Sequence, residues 1–202
     1  MEISNHVLFK NGTQVEFIES PNTNGPSNHI SPSFLIIHYT AGSKIDGALS
    51  HFRNRSAEAS AHIIIGRDGR VVQMVPFNQK AWHAGNSHWG NITGLNRFSI
   101  GIELVNAGKL MKKDTNYVTW SDHVIPNEEV IQATHKHETS PAFWHQYTQA
   151  QFDAAVEVSK AIIPMYSIME ILGHDDIAPG RKTDPGPAFP MTAFISSVFG
   201  RS

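Results

Sequence analysis

Short continuous apolar runs predict buried strands at three places in the chain. Residues 34–38 (Phe-Leu-Ile-Ile-His) lie between turn-forming residues, residues 63–65 are all isoleucine, and residues 99–105 read Ser-Ile-Gly-Ile-Glu-Leu-Val. Runs of this length and composition are typical of strands that are buried on both faces. The pair Asp68-Gly69 separates the isoleucines from a second β-branched run at 71–75, which predicts a hairpin.

Helical spacing of apolar residues predicts three helices. Ser43 can cap the first of them. Thr148 and Gln151 form a capping-box pattern that opens the second, and this helix is expected to end near Pro164. Residues 191–199 predict a short final helix.

Strands interleaved with helices predict a single α/β domain with a central mixed β-sheet flanked by helices. A chain of 202 residues has the usual size of one domain. We expect this domain to span residues 1–202, with a core at about 32–195, a polar N-terminal extension at 1–31 and a long insert at about 106–146. The insert shows no regular pattern, and irregular stretches of that length are usually functional or inserted.

The composition narrows the possible functions. Sixteen Lys and Arg residues against eighteen Asp and Glu residues give a formal net charge of −2, whereas nucleic-acid-binding proteins usually carry a clear basic excess. The apolar runs are too short for an integral membrane segment. The absence of cysteine excludes disulfides, thiol nucleophiles and cysteine zinc ligands, so metal chemistry must depend on the twelve histidines together with Asp or Glu.

Polar residues stand where predicted strands end: His38, Glu103 and His174. Ligand sites gather at such strand ends because the sheet is rigid and the loops beyond it vary. Each histidine alone could equally be a hydrogen-bonded core residue. The loop at 173–186 favours a chemical role, because it contains few apolar residues and places Asp184 ten positions after His174.

Two histidines and one carboxylate form the ligand set of a catalytic zinc site, and His38, His174 and Asp184 would supply it. Three protein ligands leave a fourth position for water, whose pKa zinc lowers towards about 7. Glu103 is then a candidate general base and acid. Lys182 can stabilise the negative oxygen of a tetrahedral intermediate. Two simpler interpretations stay open: Glu103 as a surface carboxylate, and Lys182 as a solvated lysine or a charge partner of Asp184.

Five segments of the chain form an ordered set of motifs. They are Ile36-Ile37-His38-Tyr39-Thr40-Ala41-Gly42, residues 60–69 beginning Ser-Ala-His, Trp82-His83-Ala84-Gly85, Ser99-Ile100-Gly101-Ile102-Glu103, and the stretch from Gly173-His174 to Asp184-Pro185-Gly186-Pro187. This set resembles the zinc-dependent N-acetylmuramoyl-L-alanine amidases of type 2, which are relatives of the AmpD enzymes, phage T7-type lysozyme and the peptidoglycan recognition proteins. The resemblance covers about residues 32–195.

The resemblance implies hydrolysis of the amide between N-acetylmuramic acid and L-alanine in peptidoglycan or muropeptides, with one Zn²⁺ per chain. It implies the type-2 amidase fold, with the zinc site at one end of the sheet. It assigns His38, His174 and Asp184 as zinc ligands, and Glu103 and Lys182 as catalytic residues.

Aromatic and histidine residues near these motifs are candidates for the wall of a substrate groove: Tyr39, His62, Trp82, His83 and Trp89. Flat aromatic faces suit contacts with sugars and peptides. The alternatives are a packing or supporting role for His62, and a loop held by buried tryptophans at residues 82–89. The histidines of the insert, His135, His137 and His145, are interpreted as solvated surface residues.

Two other functions stay open. One is a non-catalytic peptidoglycan-binding module on the same fold, and the other is a zinc hydrolase of another amide, since fold and zinc do not dictate the substrate. The first residues lack the basic start and apolar stretch of a secretory signal, so a cytoplasmic location is expected. A phage endolysin, or an enzyme delivered by a secretion machine to the periplasm or cell wall, would show the same start. The sequence leaves the oligomeric state open.

Overall fold

The computed structural model describes residues 1–25 and 27–200. Pro26, in the polar extension, and residues 201–202, at the end of the expected domain, lie outside the described residues. No helix of the described part is long and apolar enough to cross a bilayer. The strands are β1 (Glu2–Ser4), β2 (Val7–Lys10), β3 (Thr13–Gln14), β4 (Glu16–Phe17), β5 (Phe34–Tyr39), β6 (Ile63–Ile65), β7 (Val71–Gln73), β8 (His88–Trp89), β9 (Ile92–Thr93), β10 (Ser99–Leu104), β11 (Lys109–Lys113), β12 (Asn116–Val118), β13 (Val124–Ile125), β14 (Val130–Thr134), β15 (Pro141–His145) and β16 (Glu170–Gly173), and the helices are α1 (Ile45–Arg53), α2 (Gln149–Tyr166), α3 (His174–Ile177) and α4 (Met191–Phe199).

The central sheet contains six strands in the order β16-β5-β10-β6-β7-β4. Strands β16, β5, β10 and β6 are parallel, β7 runs antiparallel to β6 after the Asp68-Gly69 turn, and β4 joins β7 in parallel. The sheet is therefore mixed and flanked by helices, which confirms the predicted α/β class. The apolar runs of β5, β6 and β10 form its centre because these strands are covered on both faces.

Alternate residues of β5 face two different cores. Leu35 and Ile37 pack with helices α2 and α4, whereas Phe34 and Ile36 pack with α3 and with the β8-β9 hairpin. Successive side chains of a strand point to opposite faces. His38 therefore leaves the sheet on the side of α3.

The register of the parallel strands assembles the polar strand ends at one edge of the sheet. Glu103 pairs with His38 across β10 and β5, and Gly173 pairs with Ile37 across β16 and β5. His174 follows Gly173 as the first residue of α3. Segments that are distant in sequence thus deliver their polar side chains to the same carboxyl edge.

Two helix boundaries differ from the sequence predictions. The N-cap of α1 is Lys44, which makes no side-chain capping bond, so the prediction that Ser43 caps this helix is wrong. Packing of its apolar face against residues of β6 and β7 holds α1 instead. The capping box of α2 is confirmed, but the helix continues through Pro164 to Tyr166. Pro164 lies in the last turn, where the loss of one backbone donor affects few helical hydrogen bonds.

The long insert is an ordered sheet, contrary to the prediction of an irregular stretch. Strands β11 to β15 form a five-stranded antiparallel sheet in the order β13-β12-β11-β15-β14. In β11 only Leu110 is buried, and the charged residues around it are exposed, so the strand shows too little apolar alternation to be recognised. Leu110 packs with Ala107, Ile125 and Phe143 in a small core of its own.

Two histidines of the insert are buried, so their interpretation as solvated surface residues is wrong. His145 accepts a backbone N–H at 3.1 Å through Nδ1 and lies 2.9 Å from Glu129 through Nε2. His135 Nε2 lies 2.9 Å from a carboxylate oxygen of Asp175. Both histidines satisfy polar groups that the fold would otherwise bury without partners. His137 is exposed, as predicted.

We expect Phe194→Ala to lower the free energy of unfolding by about 3–5 kcal/mol. Phe194 is fully buried, and the rings of Phe152 and Phe189 lie 6.0 and 5.2 Å from its own, so truncation leaves a cavity beneath α4. Urea denaturation followed by circular dichroism measures the loss. Met165→Ala, at an exposed position of α2, is the control and should change stability by less than about 0.5 kcal/mol. A loss for Phe194→Ala no larger than that of the control would contradict this packing.

Candidate metal centre

Three buried side chains converge at the carboxyl edge of the central sheet. His38 in β5, His174 at the start of α3 and Asp184 in the following loop are 1%, 3% and 5% exposed. His38 Nδ1 lies 3.0 Å from both His174 Nδ1 and Asp184 Oδ2, and His174 Nδ1 lies 2.9 Å from Asp184 Oδ2. The structure thus brings the three predicted ligands together, and their donor atoms could hold a metal ion.

The hydrogen bond made by Nε2 of His174 fixes the tautomer of this ring. Nε2 lies 3.2 Å from the carbonyl oxygen of Ala84, which can only accept a hydrogen bond, so Nε2 carries the proton. Arg181 donates to the same carbonyl oxygen at 2.9 Å and to that of Asn86 at 2.6 Å, which holds the loop in place. With the proton on Nε2, Nδ1 of His174 presents its lone pair to the other two ligands.

A chain of hydrogen bonds fixes the tautomer of His38. Ser99 Oγ donates to the carbonyl oxygen of Leu95 at 2.7 Å, so it accepts from His83 Nε2, which lies 3.3 Å away. Burial holds the pKa of His83 well below its usual value, and neutral His83 then accepts at Nδ1. His38 Nε2, 2.9 Å from that atom, donates this bond and leaves its own Nδ1 without a proton.

The facing lone pairs explain why a cation fits this site. Two unprotonated imidazole nitrogens and a carboxylate oxygen repel one another at these distances unless positive charge lies among them. Ligands at about 2.0–2.1 Å from a tetrahedral ion lie roughly 3.3 Å apart, which is close to the observed separations. Burial, and then the neighbouring His174, lower the pKa of His38 to about 4. This imidazole is therefore neutral near pH 7, as metal binding requires.

Glu103 lies beside His38 and is not a surface carboxylate. The two residues are directly paired in the parallel register, and Glu103 is only 8% exposed. Its Oε2 is buried without a hydrogen-bond partner among the described residues. Burial raises the pKa of Glu103 to about 8, the Asp184 carboxylate adds to the rise and the Lys182 ammonium opposes it. Such a carboxyl group can take up or release a proton near neutral pH.

Lys182 lies half-buried on the loop between His174 and Asp184. Its positive charge acts electrostatically on Glu103 and on His38. Within residues 1–25 and 27–200 no ion pair joins Lys182 to Asp184 or to any other carboxylate, so the charge-partner interpretation is not supported. The ammonium stays available for negative charge on a ligand.

Three of the predicted groove residues make contacts that support the site. His62 is fully buried, its Nδ1 accepts the Gly101 N–H and its Nε2 donates to a backbone carbonyl, so its placement in a groove wall is wrong. His83 is 8% exposed and belongs to the hydrogen-bonded chain behind the first ligand. Tyr39 is half-buried and shares a hydrogen bond of 2.7 Å with Thr183, which braces the ligand loop.

The two predicted groove tryptophans are half-buried and are held through their indole nitrogens. Trp82 donates to Asn24 at 2.8 Å and Trp89 donates to Glu170 at 3.3 Å. Glu170 pairs with Phe34 at the amino end of β16, whereas the ligands lie at its carboxyl end. Trp89 therefore contacts the amino end of β16, away from the ligands, and its place in a substrate groove stays a prediction. Trp82 stays a groove candidate.

The chain of hydrogen bonds behind His38 was not predicted from the sequence. Ser99, Gly101 and Glu103 alternate along β10, and a Cβ at Gly101 would lie 2.5 Å from the His83 ring. Glycine thus makes room for the imidazole between the serine and the glutamate. The pattern Ser-x-Gly-x-Glu in a buried strand is the signal that could have shown this packing.

The sequence model of the N-acetylmuramoyl-L-alanine amidases matches residues 28–187, which include the whole ligand cluster. The chain belongs to this family. The 1,6-anhydro-N-acetylmuramyl-L-alanine amidase AmpD of Escherichia coli strain K12 is 37% identical over 137 residues, which cover 67% of this chain and 56% of AmpD. The match therefore spans little more than half the length of that amidase.

Solved amidase structures share the fold over nearly the whole chain. The crystal structure of a selenomethionine AmpD derivative has a TM-score of 0.68 at 28% identity and covers 98% of this chain and 99% of its own. AmiD from E. coli, solved with the substrate anhydro-N-acetylmuramic acid-L-Ala-D-gamma-Glu-L-Lys, has a TM-score of 0.64 at 28% identity and covers 96% of this chain and 66% of its own. The mixed sheet with flanking helices is therefore the amidase fold that the sequence motifs implied.

We expect acid to destabilise the protein partly through His62. Burial lowers the pKa of His62 to about 4 in the folded protein, against 6.5 for an ordinary histidine. Between these values the unfolded state binds more protons, so the stability that neutral His62 gives at pH 7 is lost as the pH falls from 6.5 towards 4. The loss between pH 7 and pH 5 amounts to about 2 kcal/mol.

Urea unfolding of the wild type and of His62→Gln at these two pH values, with chelator present, measures this effect. Glutamine can accept from Gly101 and donate to the Gln79 carbonyl as His62 does, but it does not titrate. The variant should therefore lose about 2 kcal/mol less than the wild type on acidification. Equal losses in the two proteins would show that His62 is not held neutral by the fold.

Proposed function

We propose that the chain is a zinc-dependent N-acetylmuramoyl-L-alanine amidase, which hydrolyses the amide between N-acetylmuramic acid and L-alanine in peptidoglycan or muropeptides. The observation that carries this proposal is the buried cluster of three converging donors beside the unpartnered carboxyl group of Glu103. Membership of the amidase family and the substrate bound by AmiD support the choice of bond.

The donor set suits zinc better than the other common divalent ions. Two imidazole nitrogens and one carboxylate oxygen form the three-ligand shell typical of catalytic zinc. Magnesium and calcium prefer oxygen ligands, and the chain has no cysteine for a thiolate site. His38, His174 and Asp184 would hold the ion. When bound, zinc supplies a Lewis acid that polarises the scissile carbonyl and acidifies water.

Glu103 is placed to move the protons of the reaction. Its carboxylate takes a proton from the attacking water, and the resulting carboxyl group gives a proton to the departing nitrogen of L-alanine. The carbon–nitrogen bond breaks, and the products are a lactyl carboxylate and a free amine. Glu103 must be ionised at the start. A cation held in the neighbouring cluster would lower its pKa from about 8, because nearby positive charge favours the carboxylate.

Lys182 is placed to stabilise the charge that develops on the carbonyl oxygen. Its half-buried ammonium is not neutralised by a carboxylate of the described chain. A cation that is already in position and unpaired costs little reorganisation when the oxyanion forms. Glu103 and Lys182 thus divide the chemistry, one moving protons and the other stabilising charge.

The proposed catalytic domain has its core at about residues 32–195 and includes the insert at 106–146. The family match over residues 28–187 and the contact of His135 with Asp175 support this extent. The size of the accepted substrate distinguishes two biological roles. A cytoplasmic recycling enzyme needs only small muropeptides, whereas an endolysin or a delivered toxin must cut the intact wall.

We expect Glu103→Gln to lower kcat by about 10²–10⁴-fold while zinc stays bound, since the amide keeps the shape but cannot accept a proton. Chromatography of the stem peptides released from a defined muropeptide measures the rate, and plasma mass spectrometry measures the zinc. Glu128→Gln changes an exposed glutamate of the insert and should keep the wild-type rate. A wild-type kcat in Glu103→Gln would remove this residue from the mechanism.

We expect metal removal to abolish hydrolysis and to lower Tm, because a ligand of the folded state at 100 times its Kd adds about 2.7 kcal/mol of stability. Calorimetry with chelator, and again after zinc is restored, measures the shift. The Tm of His38→Ala should be the same with and without zinc, because this variant lacks one of the ligands.

Digestion of purified wall beside soluble anhydro-muropeptides in the same samples separates the lytic role from recycling. An identical Tm with and without chelator would argue against a preformed zinc site.

A further inference from the structure

The inserted sheet ends in a charged contact with the loop that carries two of the ligands. We propose that the insert, residues 106–146, positions this loop for metal binding, and that His135 and Lys136 are the positioning residues. The proposal rests on the metal site of the proposed function and is independent of its substrate.

His135 and Lys136 hold Asp175, the residue that follows the ligand His174. His135 Nε2 lies 2.9 Å from Asp175 Oδ2, and Lys136 Nζ lies 2.8 Å from Oδ1. The side chains of His135 and Asp175 are 2% and 3% exposed, so solvent weakens their bond little. Oδ2 is therefore bonded to the buried imidazole, whereas Oδ1 has no hydrogen-bond partner among the described residues and is held by the insert only through its ion pair with Lys136.

Asp175 links the two ligand-bearing ends of the loop. Its backbone N–H donates to the carbonyl oxygen of Asp184 at 2.8 Å, and its amide is bonded directly to His174. A displacement of Asp175 therefore moves one ligand through a covalent bond and the other through a hydrogen bond. Binding sites of this kind tolerate displacements of only about 0.5 Å, so the hold on Asp175 bears on affinity.

Lys136 also holds the next carboxylate, that of Asp176. Its Nζ lies 2.5 Å from Asp176 Oδ1, while Asp176 Oδ2 accepts the N–H of Gly173 at 2.7 Å. A Cβ at Gly173 would lie 2.2 Å from Asp175 Oδ1, so the backbone before the ligand His174 is tightly packed against this carboxylate. Lys136 thus bridges two adjacent carboxylates whose mutual repulsion would otherwise loosen this turn.

Aromatic packing joins the insert to the other end of the loop. The Trp144 ring stacks on His135 with the centroids 5.8 Å apart, and a Cβ at Gly186 would lie 2.8 Å from the Trp144 ring. Tyr147, just beyond the insert, donates to the carbonyl oxygen of Pro185 at 2.8 Å. The segments on both sides of the ligands are therefore held from the same direction.

Lys136→Ala is the first test, because Lys136 is 43% exposed and its truncation opens no cavity in the core. Groups bonded directly to metal ligands change affinity by about 10–100-fold, and Lys136 acts one residue further out, through Asp175. We therefore expect Lys136→Ala to weaken zinc binding by about threefold to tenfold and His135→Leu to weaken it more. Competition of the full chain with a chromophoric chelator for Zn²⁺ measures the affinity. Lys113→Ala is the matched control, since it removes an exposed Lys–Asp pair of the same sheet, and it should bind zinc like the wild type.

His135→Gln keeps a donor near the position of Nε2 and should recover most of the affinity that His135→Leu loses. Melting temperatures recorded in chelator report the stability of the fold separately. A purely structural role would lower these temperatures and leave the zinc affinity of the folded protein unchanged, which would overturn the proposal. Wild-type zinc affinity in both Lys136→Ala and His135→Leu would also overturn the proposal. If His135→Leu does not fold, the zinc affinity of Lys136→Ala alone decides. A chain that binds zinc but cleaves no muropeptide would refute the proposed function without altering this comparison.

Discussion

The structure depends on an electrostatic constraint at the ligand cluster, where three lone-pair donors are buried within 3.0 Å of one another. Burying such groups together is unfavourable unless a cation compensates for their repulsion. The donors come from three separate segments, those of His38, His174 and Asp184, so no local change in one loop can relieve their repulsion. The Nε2 atoms of both histidines already donate to other groups, so neither ring can turn without losing a hydrogen bond. The preference for a cation is thus set by the surroundings as well as by the donors.

Parallel pairing of β5 with β10 supplies the geometry of the site. Residues in register on parallel strands face the same side, so His38 and Glu103 emerge next to each other. The two-residue repeat then places Gly101 and Ser99 beneath the His83 ring. One strand therefore provides the carboxyl group, the space for a supporting imidazole and the hydroxyl that fixes its tautomer. The same burial that makes this packing possible raises the pKa of Glu103.

The sequence was sufficient to predict features that depend on residues close together along the chain. The buried strands, the Asp68-Gly69 hairpin and the capping box of α2 follow from local patterns, and the structure confirms them. Strands β11 to β13 of the insert escaped recognition because they are largely exposed, so they show too little period-two alternation to detect. Burial of His135 depends on Asp175, forty positions away, and the role of His83 depends on both His38 and Ser99. Periodicity carries no information about such pairs.

Two segments that contain no ligand act on the ligands from different parts of the chain. The loop at 82–96 supplies Ala84 and His83, which set the tautomers. The insert supplies the contacts that hold α3 through Asp175 and Asp176. If these segments position the ligands as proposed, metal affinity depends on residues that a comparison of ligands alone would not consider. Connecting segments tolerate change more readily than a buried sheet does. Substitutions in these two segments are therefore expected to change metal affinity while the register that pairs His38 with Glu103 stays the same.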